Sequence, residues 1–143
     1  MRTVGWILLV LAILVAAGGG AYAWYAFSGR YNIAATEPHL PIVRDALEVV
    51  VDASIARHAQ GIEAPQVGED RVAAGLLAYS EDCATCHGAP GSDRLPWAAG
   101  MLPEPPHLSR EAHGLGVAQI YWVIDQGIKM SGMPAWNGVM SEE

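Results

Sequence analysis

The sequence predicts an all-α fold: one long apolar helix at the N-terminus, an extra amphipathic helix, and a small helical domain built around a short cysteine–histidine segment. Three observations predict it. Val4 to Phe27 is an uncharged run of 24 residues. Three later segments carry apolar residues at helical spacing with helix signals at their ends. No segment shows the apolar–polar alternation of a strand, and no internal repeat is present. The expected organisation is an anchor over residues 1–28, a spacer with an amphipathic helix over 29–68, and a compact domain over 69–143.

The first run is long enough to span a bilayer as a helix. Arg2 precedes it and the chain beyond it is net negative, so the positive-inside bias places the N-terminus in the cytoplasm and the rest outside. Trp24, Tyr25 and Phe27 crowd the outer end, as an interfacial belt does. Ala21-Tyr22-Ala23 also fits a signal-peptide cleavage site. A retained single-pass anchor in the inner membrane is the expectation, and on either reading the remainder is exported to the periplasm. Gly18-Gly19-Gly20 would let another membrane helix approach closely.

Ser28 to Pro41 is polar and turn-rich. Ile42 to Gln60 then reads as a helix, with Pro41 suited to its first turn and Gly61 as its C-cap. Val43, Leu47, Val50, Ser54 and His58 fall near one face, with Val51 and Ile55 beside it, and the helix is expected to pack on its own domain. A linker, Ile62 to Gly68, leads to a helix over Glu69–Asp82, which delivers the chain to Cys83-Ala84-Thr85-Cys86-His87. Residues 88–116 are rich in Gly and Pro and read as an irregular loop. A last helix over Val117–Gln126 ends at Gly127, followed by the loop Ile128-Lys-Met-Ser-Gly-Met-Pro-Ala-Trp136.

The net charge is −7, and residues 62–143 hold all of it, with four basic and eleven acidic side chains. Such a surface disfavours nucleic acid, whose binding rests on Lys and Arg neutralising phosphates. It suits a basic partner, or solubility alone.

The chain has two cysteines, three positions apart, with a histidine directly after the second. In an exported protein they could form a disulfide. A redox dithiol belongs with a βαβ pattern, which is lacking here. A zinc site normally needs four ligands, and Cys83, Cys86 and His87 are three, two of them adjacent. The remaining reading is C-x-x-C-H, the signature of covalent haem c attachment. Two thiols on one turn reach two vinyl groups on one porphyrin edge, and the histidine supplies an axial imidazole. One haem, held through two thioethers, is expected. The chain must then offer a sixth ligand. Met133, in Gly132-Met133-Pro134, lies far enough along to reach the opposite haem face, and a Met/His pair raises the reduction potential. Met130 is the near rival, and Met101, His107 and His113 are weaker candidates.

On these motifs the chain resembles a membrane-anchored class I cytochrome c of the short bacterial type, over roughly Asp70 to Met140. Gly75 and Tyr79 resemble the Gly and aromatic of that family's first helix. Pro106-His107-Leu108 resembles its Pro-x-Leu turn, which implies that the Pro106 carbonyl accepts the N–H of the proximal His87 and fixes its orientation. Ile120, Trp122 and Ile124 resemble the helix that walls the haem, and Gly127–Trp136 resembles the axial-methionine loop. The anchor with the Tyr31–His39 spacer resembles membrane-bound proteobacterial cytochromes encoded beside larger redox enzymes. The family's fold closes with a long C-terminal helix packed across the first. Ser141-Glu142-Glu143 has the cap and acids of such a helix's first turn, so the expectation is that this helix is truncated here. The alternative is that another element, with Ile42–Gln60 as the candidate, covers that face.

The resemblance implies single-electron transfer with no catalytic residues and no small-molecule substrate. It implies a redox partner protein or a larger membrane complex, with the protein as its bound subunit or as a tethered shuttle. Trp97, Met101 and Trp136 are expected near the exposed haem edge. An enzyme or gas sensor, with Met133 off the iron, is the alternative of a different class.

Overall fold

A computed structural model describes residues 2–63, 65–66, 68–110 and 114–139. The chain forms two compact units, Met1–Glu37 and Pro38–Glu143.

The first unit is α1 (Arg2–Phe27) and a short tail. Leu, Ala, Ile and Val surround the helix on every side and none of its residues is buried. At about 1.5 Å per residue, its 26 residues make it long and apolar enough to cross a membrane. Polar and aromatic groups close its end. The Ser28 N–H donates to the Trp24 carbonyl at 2.9 Å, and the Ser28 hydroxyl to that of Tyr25 at 2.9 Å. Arg30 lies 4.9 Å from the centre of the Trp24 ring, and Tyr25 and Tyr31 meet edge to face at 6.2 Å.

The second unit is helical, and among its described residues the only β-type pairing is an isolated bridge between Ala89 and Ser92. It contains α2 (Pro41–His58), α3 (Glu69–Ala78), a π-helical turn over Tyr79–Cys83, α4 (Ala84–His87), α5 (Pro96–Ala99) and α6 (Val117–Gln126). Pro41 occupies the first helical position of α2, where its missing N–H costs nothing. The helix ends two residues earlier than the sequence predicts. Ala59 is its C-cap, and Gly61, at φ +80°, makes the turn beyond.

The inward stripe of α2 runs through Val43, Leu47, Val51, Ile55 and Ala59; Val50, expected on that face, is 63% exposed. α2 packs on α6, within its own unit, as expected. It does not reach α3, so it does not cover the Gly75–Tyr79 face. A Cβ on Gly75 would meet nothing within 4 Å, and Val72, Leu76 and Leu77 are exposed. Ser141–Glu143, and with them the start of any C-terminal helix, lie outside the described residues.

The helix expected over Glu69–Asp82 keeps its α pitch only to Ala78. Beyond it the N–H of Ala84 donates to the Tyr79 carbonyl five residues back, so the turn carries one extra residue. This re-phases α4 relative to α3, as such insertions do at functional sites. The loop over 88–116 is also less irregular than predicted. Pro96 opens the one-turn helix α5, whose Ala98 is fully buried, and the Leu95 N–H donates to the Thr85 carbonyl at 3.1 Å. Ion pairs Arg94–Glu104 (3.0 Å) and Arg110–Asp93 (2.6 Å) brace the same loop, and Arg94 also donates to the Pro105 carbonyl. α6 has the predicted bounds: the Gln119 side chain accepts the Gly116 N–H at 2.8 Å, and Gly127, at φ +65°, ends it.

Among the described residues only Ile55, Ala59, Ala98 and His107, with the glycines Gly88 and Gly127, are buried. The core is thin because many apolar side chains of this unit face a shared cavity rather than one another.

Candidate functional site

That cavity has a volume of about 870 Å³ and a mostly apolar lining, within the roughly 300–1,000 Å³ typical of small-molecule and cofactor sites. The π-helical turn and α4 contribute Tyr79, Cys83, Cys86 and His87; the long loop contributes Met101 to Pro106 and Leu108. Ile124 of α6 follows, then Ile128 to Pro134 and Trp136. The remaining wall is Pro38 and His39 with α2, through Arg44, Leu47, Glu48, Val51 and Asp52.

His87 Nδ1 lies 2.9 Å from the Pro106 carbonyl oxygen. A carbonyl only accepts, so Nδ1 carries the proton and donates, which leaves the Nε2 lone pair of the neutral ring available as a ligand. The two segments are clasped a second time, the Leu108 N–H donating to the His87 carbonyl at 3.2 Å. Cys83 and Cys86 are free thiols, both on the cavity wall. Burial pushes the Cys83 thiol above its ordinary pKa, with the neighbouring Asp82 and Cys86 adding to the shift, so it stays protonated at neutral pH. No group of three or more His, Cys, Asp or Glu side chains able to hold a metal ion is present among the described residues.

Met133 also lines the cavity, and its backbone is held on both sides. Its N–H donates to the Ser131 hydroxyl oxygen at 3.1 Å, and its carbonyl accepts the Ile128 N–H at 3.3 Å. The Ser131 hydroxyl in turn donates to the Ile128 carbonyl at 2.7 Å. Met130 shares the cavity but is 72% exposed and sits at φ +60°. Met101 meets Gly132, where a Cβ would overlap its methyl group. The Trp136 N–H donates to the Ile124 carbonyl at 3.2 Å and so ties the loop to α6.

The other candidates fall elsewhere. Trp122 does not line the cavity; it stacks on His58 of α2, with centroids 5.5 Å apart and planes 20° from parallel. Trp97 is exposed on α5 and also lies off the cavity. His107 is 2% exposed and does not line it. Its Nε2–H donates to the Ser92 carbonyl at 3.2 Å, and its Nδ1 accepts from the Ser109 hydroxyl at 3.1 Å. His113 lies outside the described residues.

Sequence reasoning missed two features. One is the packing of the His107 ring directly on Gly88, signalled only by a glycine after the histidine of the motif. The other is the hydrogen bond from the Tyr79 hydroxyl to the Gly88 carbonyl at 2.5 Å. Tyr79→Phe removes that donor and is expected to cost about 0.5–1.5 kcal/mol. Burial first, and the nearby Cys83 second, raise the Tyr79 pKa above its ordinary 10.0. A phenol whose folded pKa is raised contributes stability that is fully present below about pH 10 and is lost as pH rises through the folded value. Urea midpoints of both proteins between about pH 8 and 11 check this: the wild type loses more stability than Tyr79→Phe over the alkaline part, and parallel curves would refute it.

The donor set fits a c-type haem: two thiols and an Nε2 lone pair on one segment, and thioether sulfurs on another part of the same apolar cavity. The family model for cytochrome c oxidase, cbb3-type, subunit III matches residues 70–143. No curated protein matches the chain. No solved structure matches it.

Proposed function

From the premise that this chain belongs to the family of cytochrome c oxidase, cbb3-type, subunit III, and so carries a c-type cytochrome domain with a haem electron-transfer role, we propose that it is a membrane-anchored, monohaem electron carrier. It works on the periplasmic side as a bound subunit of a larger membrane redox complex. Residues 1–28 are the anchor, 29–68 the spacer and amphipathic helix, and 69–143 the haem domain.

The observation that carries this reading is the 2.9 Å bond from His87 Nδ1 to the Pro106 carbonyl, on the same cavity as both thiols and Met133. A haem c bound here supplies a one-electron ferric/ferrous couple. Cys83 and Cys86 would hold it through thioether bonds, and His87 would supply its Nε2 as a ligand to the iron. Pro106 fixes the tautomer and ring orientation of His87 and makes its free nitrogen the better donor. Met133 would supply its thioether as a second ligand, from a backbone that two hydrogen bonds keep in place. Were both ligands to come from the chain, the iron would keep no open position for a substrate, which favours electron transfer over catalysis. The uncharged length of α1 supports the anchor, and Arg2 at its start supports the orientation.

Extraction in mild detergent, followed by size exclusion monitored at the haem absorbance, tests the assembly. Co-elution with a large redox complex at fixed stoichiometry is expected. Elution alone, still detergent-dependent, would make the protein a tethered shuttle instead.

A further inference from the structure

We propose that α2, which lies outside the matched residues 70–143, is an integral wall of the haem site, and that Leu47 and Val51 are positioning residues that keep water from the cofactor. The proposal rests on the haem reading above. Three observations converge on it. First, the cavity-lining residues of α2 are Arg44, Leu47, Glu48, Val51 and Asp52. Their spacing of three and four residues puts them on a single helix face. Secondly, the C-terminal half of the same stripe is what docks the helix. Ile55 and Ala59 are buried, and His58 stacks on Trp122 of α6. One half of α2 is therefore clamped to α6, and the other half overhangs the cavity, to which α6 itself contributes Ile124. Thirdly, the overhang is graded in polarity. Arg44 pairs with Asp45 at 2.8 Å and with Glu48 at 3.6 Å on exposed side chains, forming a charged rim, while Leu47 and Val51 are half-buried within it.

A wall of this kind has a definite electrostatic consequence. The ferric form carries one more positive charge than the ferrous form, and water stabilises the more charged state better than a hydrocarbon wall does. Polar groups at Leu47 and Val51, or water admitted between them, lower the reduction potential. A helix that merely braced α6 would not move it.

The test uses the full-length, haem-loaded protein. Leu47→Gln with Val51→Thr keeps side-chain volume and makes the wall polar. Val49→Thr with Val50→Thr, on positions 68% and 63% exposed, is the control for helix propensity and net polarity. Haem content is read from the pyridine haemochrome, the potential from an equilibrium redox titration, and folding from the thermal midpoint. The wall variant is expected to lower the equilibrium constant for reduction by about tenfold, equivalent to about 59 mV for one electron, while the control titrates with the wild type. If the double variant does not accumulate, Val51→Thr alone is titrated and must shift in the same direction. A wall variant that titrates with the wild type, or a control that shifts as far, overturns the proposal. A wild type lacking the haemochrome signal sinks the haem reading itself, and the wall with it.

Discussion

Gly88→Ala is expected to destabilise the second unit by about 2–6 kcal/mol. Two costs combine. Gly88 sits at φ +66° and ψ 179°, a region open essentially to glycine alone, where another residue costs about 1–3 kcal/mol. The added Cβ would also lie 2.3–2.8 Å from three atoms of the His107 ring. That ring cannot step aside, because it is buried and held at both nitrogens by Ser92 and Ser109. Overpacking of this kind costs a further 1–3 kcal/mol or so. The damage reaches the site, since residues 87 and 88 carry the carbonyls that clasp Leu108 and Tyr79. Chemical denaturation measures the loss. Gly91→Ala is the comparison: φ there is +77° but a Cβ would meet nothing within 4 Å, so only the backbone cost of about 1–2 kcal/mol applies. Equal losses for the two variants would mean that the His107 contact contributes nothing.

Met133→Ala is expected to have the largest effect on redox behaviour. It removes the proposed sixth ligand and opens one face of the iron. The Met-to-iron charge-transfer band of the oxidised protein should vanish, and the reduced protein should bind CO readily. The potential should fall on the order of 100 mV or more, since axial-ligand identity moves haem potentials over a range of about 0.8 V. Met130→Ala is the paired experiment. Met130 is mostly exposed, and its backbone hydrogen bonding is not what anchors the loop, so its loss should leave the band in place. If the band persists in Met133→Ala and disappears in Met130→Ala, the ligand assignment reverses. If the wild type shows no band and binds CO, the iron is open and an enzyme or sensor replaces the carrier.

Much of this protein was legible in one dimension because its signals are local. α1 follows from an unbroken apolar run, and α6 from apolar residues bounded by Gly116 and Gly127, whose conformations need no help from the rest of the fold. The Cys83–His87 segment identifies its own chemistry, because the two thiols and the histidine lie within five residues. The turn at Pro106 was recognisable by resemblance, and the structure places its carbonyl on His87.

What tertiary structure alone decided concerns direction and partner. Helical spacing puts Trp122 on α6 without saying which way it faces; packing turned it to His58, and Ile124 took the cavity. His107, read as a possible ligand, became a buried strut because Gly88 left a ring-sized gap beside it. The helix expected through Asp82 changed pitch at Tyr79, an i to i+5 bond that no composition announces. The amphipathic stripe of α2 was visible, but its two uses were not. Ile55 and Ala59 are buried at the end where His58 stacks on Trp122 of α6, while Leu47 and Val51 line the cavity, because the stripe is longer than the helix it packs against. Sequence period records that a face is apolar. Which surface or cofactor that face covers is settled only when residues far apart in the chain are brought together.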